Sequence, residues 1–240
     1  MNNSAVIEVR NLSAGYHHTP IMEAVSFDVH KGELFVILGG SGCGKSTLLK
    51  HMIGLLPPIS GDIFILGQNL STARGKARDA ILRRIGVAFQ SGALFGSMSV
   101  MDNVMLPLKE FTRLPESDIQ KIARIKLGLV GLDQSTDLMP GELSGGMKKR
   151  AALARAMALD PAIIFLDEPS AGLDPITSAE LDQLIIDLSN TLHMTFVIVT
   201  HELASIEAIA HRVIMLEKQR KSIVAQRRPS ALKQNSTDPY

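Results

Sequence analysis

A strand-to-helix junction between residues 34 and 53 constrains this 240-residue chain more than any other stretch. The apolar run Leu34-Phe35-Val36-Ile37-Leu38 leads into Gly39-Gly40-Ser41-Gly42-Cys43-Gly44-Lys45-Ser46-Thr47, and the helix-like Leu48-Leu49-Lys50-His51-Met52-Ile53 follows. Gly39, Gly44, Lys45 and Ser46 satisfy the phosphate-loop pattern, in the setting it requires: a buried strand ahead and a helix N-terminus behind. Glycines carry no Cβ to hold an anion away, so successive backbone N–H groups can wrap a phosphate while the helix adds its partial positive charge. Lys45 is suited to neutralising β- and γ-phosphates, and the Ser46 hydroxyl to holding Mg²⁺. A plain glycine-rich turn with a surface lysine is the alternative, and it leaves the preceding strand unexplained.

Apolar residues make up 45% of the chain and charged residues 20%, enough for a sizeable core in one large domain or one domain with an inserted lobe. The 25 basic and 24 acidic residues nearly cancel, so charge gives no reason to expect a nucleic-acid partner. The single cysteine, Cys43, excludes an internal disulfide framework or a cysteine-built metal cluster and suits a reducing compartment. No apolar run approaches the length of a membrane span, and Met1 to Ser4 do not resemble a signal segment. The chain is therefore expected to be soluble and cytoplasmic, with any membrane crossing left to other subunits.

Alternation over residues 5–12 and again over Val25–Val29 predicts an antiparallel, hairpin-rich edge ahead of the phosphate loop. Tyr16 lies between these strands, where its ring could stack on a purine or simply pack. Short strands are expected at Ile63–Leu66 and Ile85–Phe89, with a basic helix over Gly75–Arg84 between them. Gln90 follows the second strand, at the carboxyl edge where open α/β sheets place ligand chemistry. From Ser91 the pattern turns helical, with breaks at Pro107, Pro115 and Pro140-Gly141, as in an inserted helical lobe.

Within that lobe, Leu143-Ser144-Gly145-Gly146-Met147 precedes a run of strong helix formers. Ser144, Gly145 and Gly146 then occupy a helix N-terminus, either as a second anion site or as an ordinary serine cap. Ala162–Leu166 is a buried parallel strand ending in Asp167-Glu168, two carboxylates that are costly there unless they handle a cation or a proton. Asp167 fits a direct or second-sphere Mg²⁺ role beside Ser46, and Glu168 the group that polarises an attacking water. A helix over Ile176–Asn190 leads to the strand Thr195–Thr200, after which His201 could donate to a γ-phosphate oxygen. The stretch from Glu217 to Tyr240 reads as a basic tail, with Lys218, Arg220, Lys221, Arg227, Arg228 and Lys233.

Taken together, these motifs resemble the ATP-binding subunit of ABC transporters over nearly the whole chain and in the same order. The resemblance implies an α/β P-loop NTPase fold of the ABC ATPase type: a RecA-like core at 1–90 and 156–216 that includes an N-terminal antiparallel β subdomain, a helical subdomain at 91–155, and a tail at 217–240. It also implies roles. Gln90 becomes the Q-loop residue and an Mg²⁺ neighbour, and residues 143–147 the signature. Ile163–Asp167 becomes Walker B with Glu168 catalytic, residues 170–174 the D-loop, and His201 the switch histidine.

Two copies would pair head to tail, so that Ser144, Gly145 and Gly146 of one close over ATP and Mg²⁺ held by the phosphate loop and Tyr16 of the other. Residues 90–100, Met147 and residues 170–174 are similar to the ATPases of MCE-associated phospholipid-trafficking systems in Gram-negative envelopes. That implies a membrane permease, an MCE-type substrate-binding subunit, a small STAS-like regulatory subunit and a position on the inner membrane. Met147 departs from the glutamine usual in the signature, and residues 217–224 lack the glycine usual in the last hairpin. An amino-acid or metal importer, a non-transport ABC ATPase and a small-metabolite kinase are the competing readings. The Leu-Ser-Gly-Gly element and His201 have no role in the kinase. Cys43 predicts that thiol alkylation blocks turnover and that ATP protects.

Overall fold

The computed structural model describes residues 4–17 and 19–227. In chain order the elements begin with β1 (Ala5–Tyr16), β2 (Thr19–His30), β3 (Leu34–Gly39), α1 (Lys45–Met52), β4 (Ser60–Ile65), β5 (Gln68–Asn69), α2 (Gly75–Leu82) and β6 (Ile85–Ala88). They continue with α3 (Val100–Phe111), α4 (Glu116–Leu129), a 3-10 turn at Pro140–Glu142, α5 (Gly145–Ala156), β7 (Ile163–Asp167), α6 (Pro175–Leu192), β8 (Thr195–Thr200), α7 (Leu203–Ile209), β9 (Arg212–Glu217) and β10 (Ser222–Arg227).

Two sheets result. The smaller is antiparallel, ordered β2-β1-β4-β5, and the larger runs β10-β9-β3-β8-β7-β6. Strands β9, β3, β8, β7 and β6 are mutually parallel, and β10 closes the edge as an antiparallel hairpin with β9. Every residue of β3 and β8 is buried, as parallel strands covered on both faces must be.

Their side chains divide with period two. Leu34, Val36, Leu38, Ile164, Leu166, Phe196 and Ile198 join the core shared with α3 to α7. Phe35, Ile37, Ile163, Phe165, Val197 and Val199 join the core shared with the smaller sheet and α1. Stacking of Phe27 on Phe35, with centroids 5.5 Å apart, links the two sheets.

Two sequence expectations change here. Strand β9 lies beside β3 in the larger sheet and was not foreseen, because its short apolar stretch follows directly on α7. The expected tail from Glu217 starts on the last residue of β9, turns over 218–221 and then pairs as β10, so residues 222–227 belong to the sheet. The hairpin closes without the usual glycine because Lys221 takes the left-handed conformation itself, at φ 50°, for about 1 kcal/mol of strain. Arg228 and Lys233 lie outside the described residues.

Candidate nucleotide-binding and hydrolysis site

The phosphate loop leaves β3 where no side chain would fit. A Cβ on Gly39 would lie 2.4 Å from Cys43 Sγ and 2.9 Å from Leu216 O, and one on Gly44 would lie 2.8 Å from Ile21 Cγ2. Gly42 and Gly44 have positive φ, which lets the chain curl before α1. The Lys45 ammonium, almost fully buried, donates to Gly39 O at 2.8 Å and Gly40 O at 3.3 Å. Gly40, Ser41, Gly42 and Ser46 are exposed around it. Thr47 is buried in the first turn of α1.

Cys43 departs from expectation. Its thiol is only 4% exposed and packs inward among the core of the smaller sheet, while its N–H donates to Gly40 O. Alkylation therefore requires the loop to open first, and ready modification of the folded chain is not expected.

Strand β7 delivers the two carboxylates. Asp167 accepts from Ser46 Oγ at 3.4 Å, and burial, then the neighbouring Glu168 charge, raises its pKa against the opposing pull of Ser46, Lys50 and Lys45. Two hard oxygens, one on a carboxylate whose charge is under-compensated, are the donor set Mg²⁺ prefers. Glu168, 8% exposed and at φ 48°, is the hub of the site. His201 Nδ1 lies 2.9 Å from both of its carboxylate oxygens, and Lys45 Nζ lies 3.8 Å from Oε1. The expected direct role of His201 toward phosphate is thereby divided: Nδ1 serves Glu168, and Nε2 is the nitrogen left to meet a phosphate oxygen.

Lys149 was not singled out in the sequence, where it reads only as part of a basic helix start. Its ammonium donates to the backbone oxygens of both Gln90 and Glu168, the latter at 3.0 Å, and burial lowers its pKa. Arg155, one and a half turns further along α5, donates to Gly92 O and Ala93 O at 2.8 and 2.7 Å. Buried Asn103 ties Phe95, Met98 and Ser99 to α3. The segment after Gln90 is thus strapped to the helical lobe at several points. Lone lysine, arginine and asparagine residues in helices carry no sequence mark of such contacts.

Ser144 caps α5, its Oγ accepting from Met147 N at 3.2 Å. Ser144 and Gly145 are exposed, whereas a Cβ on Gly146 would lie 2.6 Å from Thr177 Cγ2 at the start of α6. Tyr16, 40% exposed, closes β1. Hydrogen bonding from Thr47, then from Lys50, holds its phenol below the usual range despite some burial.

Comparison with known proteins agrees with this geometry. The family described as ABC transporter matches residues 22–171. The chain belongs to the ABC transporter family. Among solved structures, this cassette superposes on cbiO1 from Clostridium perfringens, part of the ABC transporter complex cbiONQ, with a TM-score of 0.88, 29% identity and coverage of 96% and 91% of the two chains. It also superposes on the ATP-binding cassette MJ0796, solved as a dimer bound to ADP and Pi, with a TM-score of 0.84, 28% identity and coverage of 93% and 98%.

Among curated relatives, the cassette is 42% identical over 218 residues to the Haemophilus influenzae "Intermembrane phospholipid transport system ATP-binding protein MlaF", covering 91% of this chain and 83% of that one. The Escherichia coli K12 protein of that name is 40% identical, with 96% and 85% covered. It is 45% identical to the Mycobacterium leprae "Probable ribonucleotide transport ATP-binding protein mkl" over 90% of this chain, which spans 62% of that relative's length. No helix among the described residues is long and apolar enough to cross a membrane.

Proposed function

We propose that the chain binds and hydrolyses ATP as the motor subunit of a bacterial lipid transporter. The observation that carries the hydrolytic part is the convergence of Lys45, His201 and Lys149 on Glu168, one residue beyond Asp167 and its partner Ser46. In this reading Gly39 to Thr47 cradle the triphosphate and Tyr16 meets the base. Glu168 orients the attacking water and takes its proton at a carboxylate oxygen, while His201 Nδ1 fixes that carboxylate. Ser46, Asp167 and the Gln90 side chain would hold Mg²⁺, which when bound neutralises phosphate charge. Two copies pair head to tail, each supplying Ser144, Gly145 and Gly146 to the nucleotide of the other. That mode is supported by the dimeric cassette with ADP and Pi and by the exposed α5 N-terminus.

The helical lobe, residues 91–155 between the two parts of the RecA-like core, is the contact with a membrane permease. A cleft of about 270 Å³ lined by Arg83, Val87, Pro107, Phe111, Arg155 and Leu159 suits one of its segments. Arg155 lines that cleft and also holds Gly92 and Ala93, so pressure there reaches Gln90 through a short chain of contacts. Closure on ATP then biases the permease between two states.

The cargo reading follows the MlaF relatives: phospholipid moved between inner and outer membranes, with an MCE-type binding subunit and a small STAS-like regulator, and the ATPase peripheral on the cytoplasmic face of the inner membrane. The mycobacterial name favours a second reading, ribonucleotide transport. Co-purification of the chain with its membrane subunit and mass spectrometry of bound small molecules tests both. Enriched phospholipid supports the first, and ribonucleotide retained outside the ATP site supports the second.

A further inference from the structure

Helix α1 starts with the proposed phosphate-binding Lys45 and Ser46, and three of its side chains also reach the end of β1. Thr47, Lys50 and His51 are spaced i, i+3 and i+4, a single stripe of the helix. All three engage the end of β1. Thr47 is near enough to the Tyr16 hydroxyl to help hold its pKa down. Lys50 Nζ donates to Tyr16 Oη at 3.4 Å and sits 5.9 Å from the ring centroid. His51, 1% exposed, accepts the Gly15 N–H through Nε2 at 3.1 Å, and its Nδ1 lies 3.1 Å from Leu56 O.

A carbonyl can only accept and an amide N–H can only donate. These two partners therefore fix a neutral tautomer, protonated on Nδ1 with the lone pair on Nε2. Only glycine fits at position 15, since a Cβ there would fall 2.0 Å from Thr19 O across the hairpin. The same hairpin abuts the phosphate loop at Gly44 through Ile21.

We propose that Lys50 and His51 are positioning residues for the nucleotide base. They hold the Tyr16 ring at a fixed offset from the phosphate cradle, so that one rigid helix sets both halves of the nucleotide site. This rests on the ATP-binding reading above and deepens it. Tyr16 stands at a hairpin end, next to His17 in the left-handed conformation, and an unsupported ring there would have to be ordered by the ligand itself. Ordering it beforehand removes that entropic cost from binding.

The test compares Mg-ATP with Mg-tripolyphosphate, which offers phosphates without a base, by calorimetry on the full chain. His51→Phe keeps ring volume and removes both hydrogen bonds. His51→Gln returns an acceptor near the Nε2 position, His51→Asn reaches only the Nδ1 position, and Lys50→Met removes the ammonium but keeps the stem. Expected is about tenfold weaker ATP binding for H51F, H51N and K50M, with tripolyphosphate binding unchanged in the His51 variants, a smaller loss toward tripolyphosphate than toward ATP in K50M because Lys50 also acts on Asp167, and H51Q within about twofold of the parent. In turnover of the H51F and H51N variants the ATP KM rises while kcat holds.

Equal weakening toward both ligands would reduce His51 to a prop for α1 and overturn the inference, as would indifference of every variant. Should H51F fail to fold, K50M carries the comparison from the partly exposed side of the helix, through a larger loss toward ATP than toward tripolyphosphate. Parent protein that binds neither ligand overturns the ATP-binding reading itself, whereas parent binding with indifferent variants overturns this inference alone.

Discussion

Replacing Lys149 by methionine tests whether the helical lobe governs Glu168, the carboxylate proposed as catalytic. The substitution keeps an unbranched side chain of similar length, so packing on α5 changes little. It deletes two charge-assisted hydrogen bonds, to Gln90 O and Glu168 O. Each such bond contributes about 1.5–3 kcal/mol. Part of that is offset, because burial already disfavours this ammonium and its pKa is lowered.

A net stability loss of about 1–2 kcal/mol is therefore expected. Glu168 is then held by Val199 O at its N–H, by the Ala171 N–H at its carbonyl, and by His201 and Lys45 at its carboxylate. With its carbonyl held by Ala171 alone and Gln90 no longer tied to it, the carboxylate is less firmly placed against the water it is proposed to orient, and kcat should fall roughly 10-fold with little change in nucleotide affinity. Steady-state ATPase assays alongside fluorescent-nucleotide binding and thermal melts separate the terms. A variant that melts earlier yet keeps its kcat at a permissive temperature would refute the catalytic part, leaving Lys149 a structural strap.

Glu168→Gln should lower hydrolysis by about 10²- to 10⁴-fold while ATP stays bound and holds two copies together, read by phosphate release and size-exclusion chromatography. Asp167→Asn should abolish Mg²⁺-dependent turnover yet raise the melting temperature of the ligand-free protein at neutral pH. Its raised folded pKa makes the ionised carboxylate a cost that is absent in acid, so the advantage should vanish as pH falls below about 4. His51 has the opposite sign: its folded pKa is lowered by burial, so stability is held above about pH 6.5 and lost on acidification through the lower folded value. His51→Gln should flatten that acid limb of the melting curve. Alkylation of Cys43 in the folded chain should be slow and should accelerate in mild denaturant; rapid labelling under native conditions would contradict its burial.

The proposed nucleotide site was legible in the chain because each part is local. A phosphate loop, a carboxylate pair after a buried strand and a capped helix start are properties of a few consecutive residues, and their chemistry follows from residue type and spacing. So was the broad architecture, since the uninterrupted apolar runs of β3, β7 and β8 can only be strands covered on both faces.

What the tertiary structure alone decided are contacts between residues far apart in sequence that share no pattern. His201 turns its Nδ1 to Glu168, 33 residues away. Lys149 spans Gln90 and Glu168, and His51 reaches back to Gly15. Strand β9 beside β3 and the inward thiol of Cys43 belong with these, because burial and pairing depend on what packs across a gap. A hydrogen bond between side chain and distant backbone costs no particular residue type at its acceptor end, so half of each such pair leaves no trace in the sequence.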